Sequence, residues 1–186
     1  MQKEYNRSLT EKSKIQTEVT PAIQEFLGDY KVKTYEDLVA LLKHIHSSLE
    51  FRNYNDATKE YADSIQWKRT ASEIVEDGYV YKGKACSDLA LIFIALCKAA
   101  SVDAQLLKLI RLDGKSTHTI VEIQLEDGWY RLDTSNNGSV PFKGYLADEQ
   151  VWNKNWEGGW KVWKRGPDLW SMGLDSIDSE DKVREE

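Results

Sequence analysis

The chain has 186 residues, 41% of them hydrophobic and 30% charged, with eleven glycines and three prolines; this is the make-up of one globular domain, not of a disordered or fibrous chain. Its formal net charge is −6, and no lysine-arginine stripe with interleaved aromatics appears, which argues against nucleic acid as a partner. The first thirty residues hold no apolar leader core, and the longest apolar run, Leu89 to Cys97, is far below the ~20 residues of a membrane span, so a cytoplasmic protein without a membrane partner is expected.

Residues 1–18 are polar and without period, and are expected to be a flexible N-terminus ahead of a single domain over 19–173, with an acidic disordered tail over 174–186. From Tyr35 to Leu49, the residues Leu38, Leu41, Leu42, Ile45 and Leu49 form one stripe of an amphipathic helix that Thr34 would cap. His44 and His46 lie two positions apart on it, so they point to different sides and are expected on its solvated flanks. A short helix should start at Thr70 or Ser72 and stop before Gly78.

Leu89 to Ala100 is apolar on every side, with Lys98 its one charge, and reads as a buried central helix. After it, Ala104–Leu112, Thr117–Leu125 and Trp129–Asp133 are β-prone runs separated by Asp113-Gly114 and Asp127-Gly128, which predicts an antiparallel three-stranded meander packed on that helix. Ser135-Asn136-Asn137-Gly138 is turn chemistry, and the stretch onward to Trp170 reads as irregular.

The two cysteines fall on one predicted helix, and eleven residues at ~1.5 Å each put them ~16 Å apart, too far for a disulfide. Two free thiols suit a reducing compartment. Cys97, mid-helix among apolar neighbours, reads as packing. Cys86 sits where a helix N-terminus can stabilise a thiolate; Lys82 and Lys84 would add positive potential, Asp88 would oppose it, and Gly83 lets the backbone turn sharply. Local features leave packing and reactivity both open for it.

A reactive thiol needs a base and a group to orient that base. His118 opens a strand of the meander and is the candidate base; Asp133 closes the next strand. With a two-residue Asp127-Gly128 turn, Asp133 faces Glu122, four residues or ~13 Å along the strands from His118. Bringing the two together requires a bulge or a turn recentred near Leu125-Glu126, and Glu122 remains a rival partner.

The segments "GKACSDLALIFIALCKAASVDAQLL", "THTIVEI" and "DGWYRLDTS" together resemble the transglutaminase-like superfamily: a Gly-x-x-Cys entry to a buried helix, a histidine opening a strand, and a Trp-x-x-x-Asp close. Upstream, "YEDLVALLKHIHSSLEFRNY" and "RTASEIVEDG" resemble the helical segments that precede the nucleophile in these proteins. The likeness spans about residues 34–145, leaving a Trp-rich extension over 146–173. It implies an α+β fold with a papain-like core, a buried central helix on a small antiparallel sheet. It also implies Cys86 as nucleophile, His118 as base and then acid, and Asp133, in preference to Glu122, as the orienting group. The implied activity is that of a cysteine hydrolase cleaving a peptide or side-chain amide of a peptide or protein substrate through a thioester acyl-enzyme, with no cofactor and no metal. A cross-linking acyltransferase with the same three residues, and a non-catalytic binding module, are the alternatives.

Some relatives add an oxyanion donor upstream of the cysteine, a part that Trp67 or Gln66 could take, although Trp67 also suits core packing. Thr119 stands where an aromatic or small residue usually follows the histidine, and Ser101-Val102-Asp103-Ala104 replaces the more common Gly-Ile-Pro-Ala turn. The "DSIDSED" stretch lacks EF-hand spacing, so a calcium-regulated animal-type enzyme is not expected. Trp152, Trp156, Trp160, Trp163 and Trp170 either pack onto the domain, or one or two of them, with Trp156 and Trp160 as candidates, line the cleft as a platform for peptide or sugar rings.

Overall fold

In the computed structural model, residues 15–148, 150–153, 159–176 and 179 are described. Two helices begin as their caps dictate. Thr34 and Asp37 close a reciprocal capping box on Tyr35–Ser48 (α2), which buries Leu38, Leu41, Leu42 and Ile45. Thr70 and Glu73 do the same for Ala71–Asp77 (α4), which ends on left-handed Gly78. Pro21–Leu27 (α1) precedes α2, and Lys59–Ile65 (α3) lies between α2 and α4. Two short strands, Glu50–Arg52 (β1) and Tyr79–Tyr81 (β2), pair in parallel.

Cys86–Ala99 (α5) is the centre of the molecule. Ten of its fourteen residues are buried, as its all-round apolar sequence requires. Burying each large aliphatic or aromatic side chain there stabilises the fold by roughly 1.5–3 kcal/mol. Lys98, its one cation, donates to Thr17 Oγ1 at 2.5 Å.

The meander forms as expected from Ala104–Arg111 (β3), Thr117–Leu125 (β4) and Gly128–Leu132 (β5). Its second turn is shifted: Leu125 pairs with Gly128, so Glu126-Asp127 is the turn, one residue earlier than the Asp127-Gly128 pair suggested. Each partner of β4 therefore moves by two residues, and Asp133 comes closer to His118 along the strands. Ser101 takes a left-handed φ of 60° after α5, a conformation that glycine usually supplies at a helix C-terminus.

The Trp-rich segment is not irregular throughout. Phe142–Lys143 (β6), Trp152–Asn153 (β7) and Gly159–Gly166 (β8) join a six-stranded sheet in the order β6-β5-β4-β3-β8-β7. Within β8, Trp160 and Val162 join Leu107, Leu109, Ile120 and Leu146 in a second core on one sheet face. A bulge opposite Lys108/Leu109 leaves Trp163 out of register, and it packs against the main core. The alternation that makes this run a strand is short and interrupted by the bulge, so tryptophan density masked it. Trp156 lies outside the described residues.

The flexible-terminus expectation fails at residues 16 and 17. Gln16 and Thr17 are 0% and 1% exposed. The Gln16 amide nitrogen donates to the carbonyls of Trp67 and Arg69, and its oxygen accepts from the backbone N–H groups of Leu169 and Trp170. One polar side chain thus satisfies four backbone groups from two distant segments, and water is not needed to solvate this end. At the other boundary, Leu174 is fully buried, so the packed chain extends to it. Replacing Gln16 by alanine should lower unfolding free energy by about 2–4 kcal/mol, since a stranded buried donor or acceptor costs about 1–3 kcal/mol; urea denaturation monitored by tryptophan fluorescence reads the loss.

Candidate active site

Cys86 is the first residue of α5, and Ala85 before it offers no capping side chain, so the first-turn N–H groups carry the helix's positive end without a local side-chain acceptor. The residue is half-buried. Beside it a cleft of about 330 Å³ is lined by Phe51, Lys82, Gly83, Ala85, Cys86, Thr117, His118 and Ser135. Gly83 has φ 76° with open space where a Cβ would stand, so backbone conformation and not crowding calls for glycine.

His118 Nε2 and Asp133 Oδ2 are 3.0 Å apart, with the two side chains 13% and 10% exposed. The recentred turn explains the contact: Val121 pairs with Leu132, which extends to Asp133 opposite Ile120, two residues and not four from His118 on the same face. The other Asp133 oxygen accepts from the backbone N–H and the hydroxyl of Ser135, which fixes the carboxylate plane. With Nε2 donating to Asp133, Nδ1 is the ring nitrogen left to meet the Cys86 thiol, which lines the same cleft and whose pKa His118 lowers. Glu122, the rival, is fully buried and held by Gln105, Arg165 and the Leu146 N–H.

Burial pushes the Cys86 thiol up, but His118, Lys108 and Thr119 outweigh it and bring it down to about 6. Burial likewise opposes a charged His118, and Asp133 and Cys86 overcome that to raise it to about 9. Between these values thiolate and imidazolium coexist. Asp88, which would repel the thiolate, is bonded to Arg69 at 2.5 Å.

The other sequence candidates fall elsewhere. Trp67 is 2% exposed and gives its indole N–H to Ser87 Oγ at 3.1 Å; Gln66 does not line the cleft. Trp160, 4% exposed, leaves no open face for a sugar or peptide, and instead its ring lies 5.9 Å from that of His118, tilted across it. His44 and His46 are not on solvated flanks. His44 Nε2 donates to the Phe26 carbonyl, and His46 Nε2 donates to the Thr134 carbonyl at 2.9 Å with its ring stacked on Phe51. His46 therefore anchors the residue after Asp133, a role without a sequence signal beyond an aromatic neighbour.

Residues 22–134 match the family model described as the transglutaminase-like superfamily. The chain belongs to the transglutaminase-like superfamily. No curated protein matches the sequence. Among solved structures, this superfamily member is similar to a candidate cysteine protease from Cytophaga hutchinsonii, at 17% identity and a TM-score of 0.49 over 82% of this chain. The match spans 44% of that larger chain, less than half its length. It is also similar to LapG from Legionella pneumophila, at 16% identity and a TM-score of 0.46, covering 88% of this chain and 84% of the other. Among the described residues, no helix is long and apolar enough to cross a membrane.

Replacing Asp133 by asparagine removes a charge that raises His118, so the imidazole should lose its proton at lower pH. A fall from about 9 of roughly 1–2 units is expected for loss of an adjacent carboxylate, read from the pH dependence of the His118 ring proton resonances. An unmoved midpoint would show that the carboxylate does not act on the ring.

Proposed function

We propose that this superfamily member is a cysteine hydrolase that cleaves a peptide or side-chain amide bond through Cys86, His118 and Asp133. The observation that carries the reading is the His118–Asp133 hydrogen bond at 3.0 Å beside a thiol at the start of a buried helix.

In the proposed reaction the Cys86 thiolate attacks the amide carbonyl carbon, and the backbone N–H of Cys86 helps hold the oxyanion. The C–N bond then breaks as His118 passes its proton to the leaving amine, giving a thioester. Water attacks the thioester while His118 takes its proton; the acid leaves and the thiolate returns. Asp133 keeps Nε2 protonated and the ring aimed throughout. A peptide or protein substrate fits an open cleft with backbone near the nucleophile, and two free thiols fit a reducing, cytoplasmic setting.

Acid-quenched incubation with a mixture of unstructured peptides should leave an acyl adduct on Cys86 that hydroxylamine removes, and the products should carry the mass of one added water. Cys86→Ala and His118→Ala should each lower turnover by at least about a thousandfold. Incorporation of an added primary amine in place of water would assign cross-linking transfer instead. Turnover that survives Cys86→Ala would end the nucleophile assignment.

A further inference from the structure

Behind Cys86, away from the cleft, lies a polar cluster inside the apolar core. Lys108 is 1% exposed, and its ammonium sits 4.3 Å above the Trp67 ring. It projects there from β3 by ordinary alternation, on the face of Leu106 and opposite that of Leu107 and Leu109, directly across from Thr119 of β4. Trp67 Nε1 donates to Ser87 Oγ at 3.1 Å, and Lys108 Nζ donates to Thr119 Oγ1 at 3.4 Å. The two hydroxyl oxygens are 2.8 Å apart.

We propose that Trp67, Lys108, Ser87 and Thr119 form a one-way hydrogen-bond relay that ends on the Cys86 sulfur and holds it as a thiolate. The inference rests on the cysteine-nucleophile reading and says what activates it from the buried side.

The direction follows from hydrogen counting. An indole N–H and an ammonium can only donate, so both feed hydrogens into the hydroxyl pair. The pair has two hydrogens of its own and uses one between its oxygens, which leaves one to point outward. Cys86 is the acceptor at hand: Ser87 Oγ lies 4.0 Å from its sulfur, and Thr119 is among the groups that lower the pKa of its thiol. A protonated thiol is a weak acceptor, whereas a thiolate completes the relay. Lys108 adds a positive charge across a buried, low-dielectric path. The other charges around the sulfur are His118 and Asp133 from β4 and the end of β5, Lys82 and Lys84 from the loop ahead of α5, and Asp88 with its partner Arg69. Lys164 of β8 stands opposite Lys108 in the sheet. Thr119 is the position where the sequence departs from the superfamily's usual residue, and its hydroxyl is what the relay uses.

The test is the pH dependence of Cys86 alkylation by iodoacetamide, followed by peptide mass spectrometry that separates Cys86 from Cys97. The unaltered protein should show a limb near pH 6. In Thr119→Val and Lys108→Met the limb should move toward the alkaline side, lowering the rate near pH 6 several-fold for the first unit moved and raising the alkaline plateau about threefold per unit; Thr119→Ser should restore both. A limb in the same place in both folded variants overturns the relay while leaving the nucleophile in place. An unaltered protein with no limb below the ordinary thiol range overturns both. Should Lys108→Met fail to fold, the unaltered chain still decides: the Lys108 Cε resonance should move with the Cys86 midpoint and stop moving once Cys86 is alkylated, and a stationary resonance overturns the relay.

Discussion

The cost of charging a thiol at the end of a buried helix governs this architecture. The two cysteines of α5 make the comparison within one element. At Cys97 burial acts alone and pushes the thiol well above its ordinary range. At Cys86 burial acts in the same direction, yet the thiol ends at about 6 because donors and charges converge on it from two strands. Position on the helix accounts for part of the difference, since Cys86 has the uncapped N-terminus and Cys97 sits mid-helix. The larger part comes from tertiary structure, which brings His118 and Thr119 from β4 and Lys108 from β3 to one sulfur.

That convergence makes remote contacts matter. Trp67 has a left-handed φ of 62°, unusual for a bulky residue and worth roughly 1–2 kcal/mol of strain. Its carbonyl is held from both ends of the described chain, by the Gln16 amide and the Trp170 indole, each at 2.8 Å, while its own indole is held by Ser87. Residues far from the cleft thereby fix the aim of a donor to Ser87, the residue next to Cys86. The cleft side is built in the same way: His46 holds the Thr134 carbonyl, and Ser135 holds the Asp133 carboxylate that orients His118.

The elements themselves were legible where a local signal controls them. Capping residues at Thr34 and Thr70, apolar residues all round α5, and turn residues between β-prone runs all describe choices the chain makes locally, and the helices and the meander follow them. The candidate residues Cys86, His118 and Asp133 could be picked out by order and spacing, but their meeting could not, because a one-residue difference in where the β4-β5 turn is centred moves the partner of His118 by two positions. Nor could Lys108 be read as buried, since a lysine in a strand is ordinarily a solvent-facing residue; here both sheet faces are covered, and alternation puts it on the main-core side with Leu106, under the Trp67 ring. Thr119 looked like a neutral departure from a family pattern because its partner, Ser87, is thirty-two positions away in sequence. The N-terminal residues failed for a related reason: Gln16 carries no apolar period, and its value lies in satisfying four backbone groups that only the folded chain assembles.

Placing a hydroxyl between the ammonium and the sulfur has a chemical logic of its own. A thiolate's reactivity depends on two opposed quantities: the fraction ionised, which rises as its pKa falls, and its intrinsic nucleophilicity, which falls with pKa with a slope of about 0.4–0.5. A thiol brought to about 6 is already ionised at neutral pH, so further stabilisation would reduce its nucleophilicity while adding almost no thiolate. Direct contact between Lys108 and the sulfur would risk that excess. Through Thr119 the charge is felt at one remove, and the sulfur keeps its place in the cleft lining beside His118, where the proposed reaction needs it.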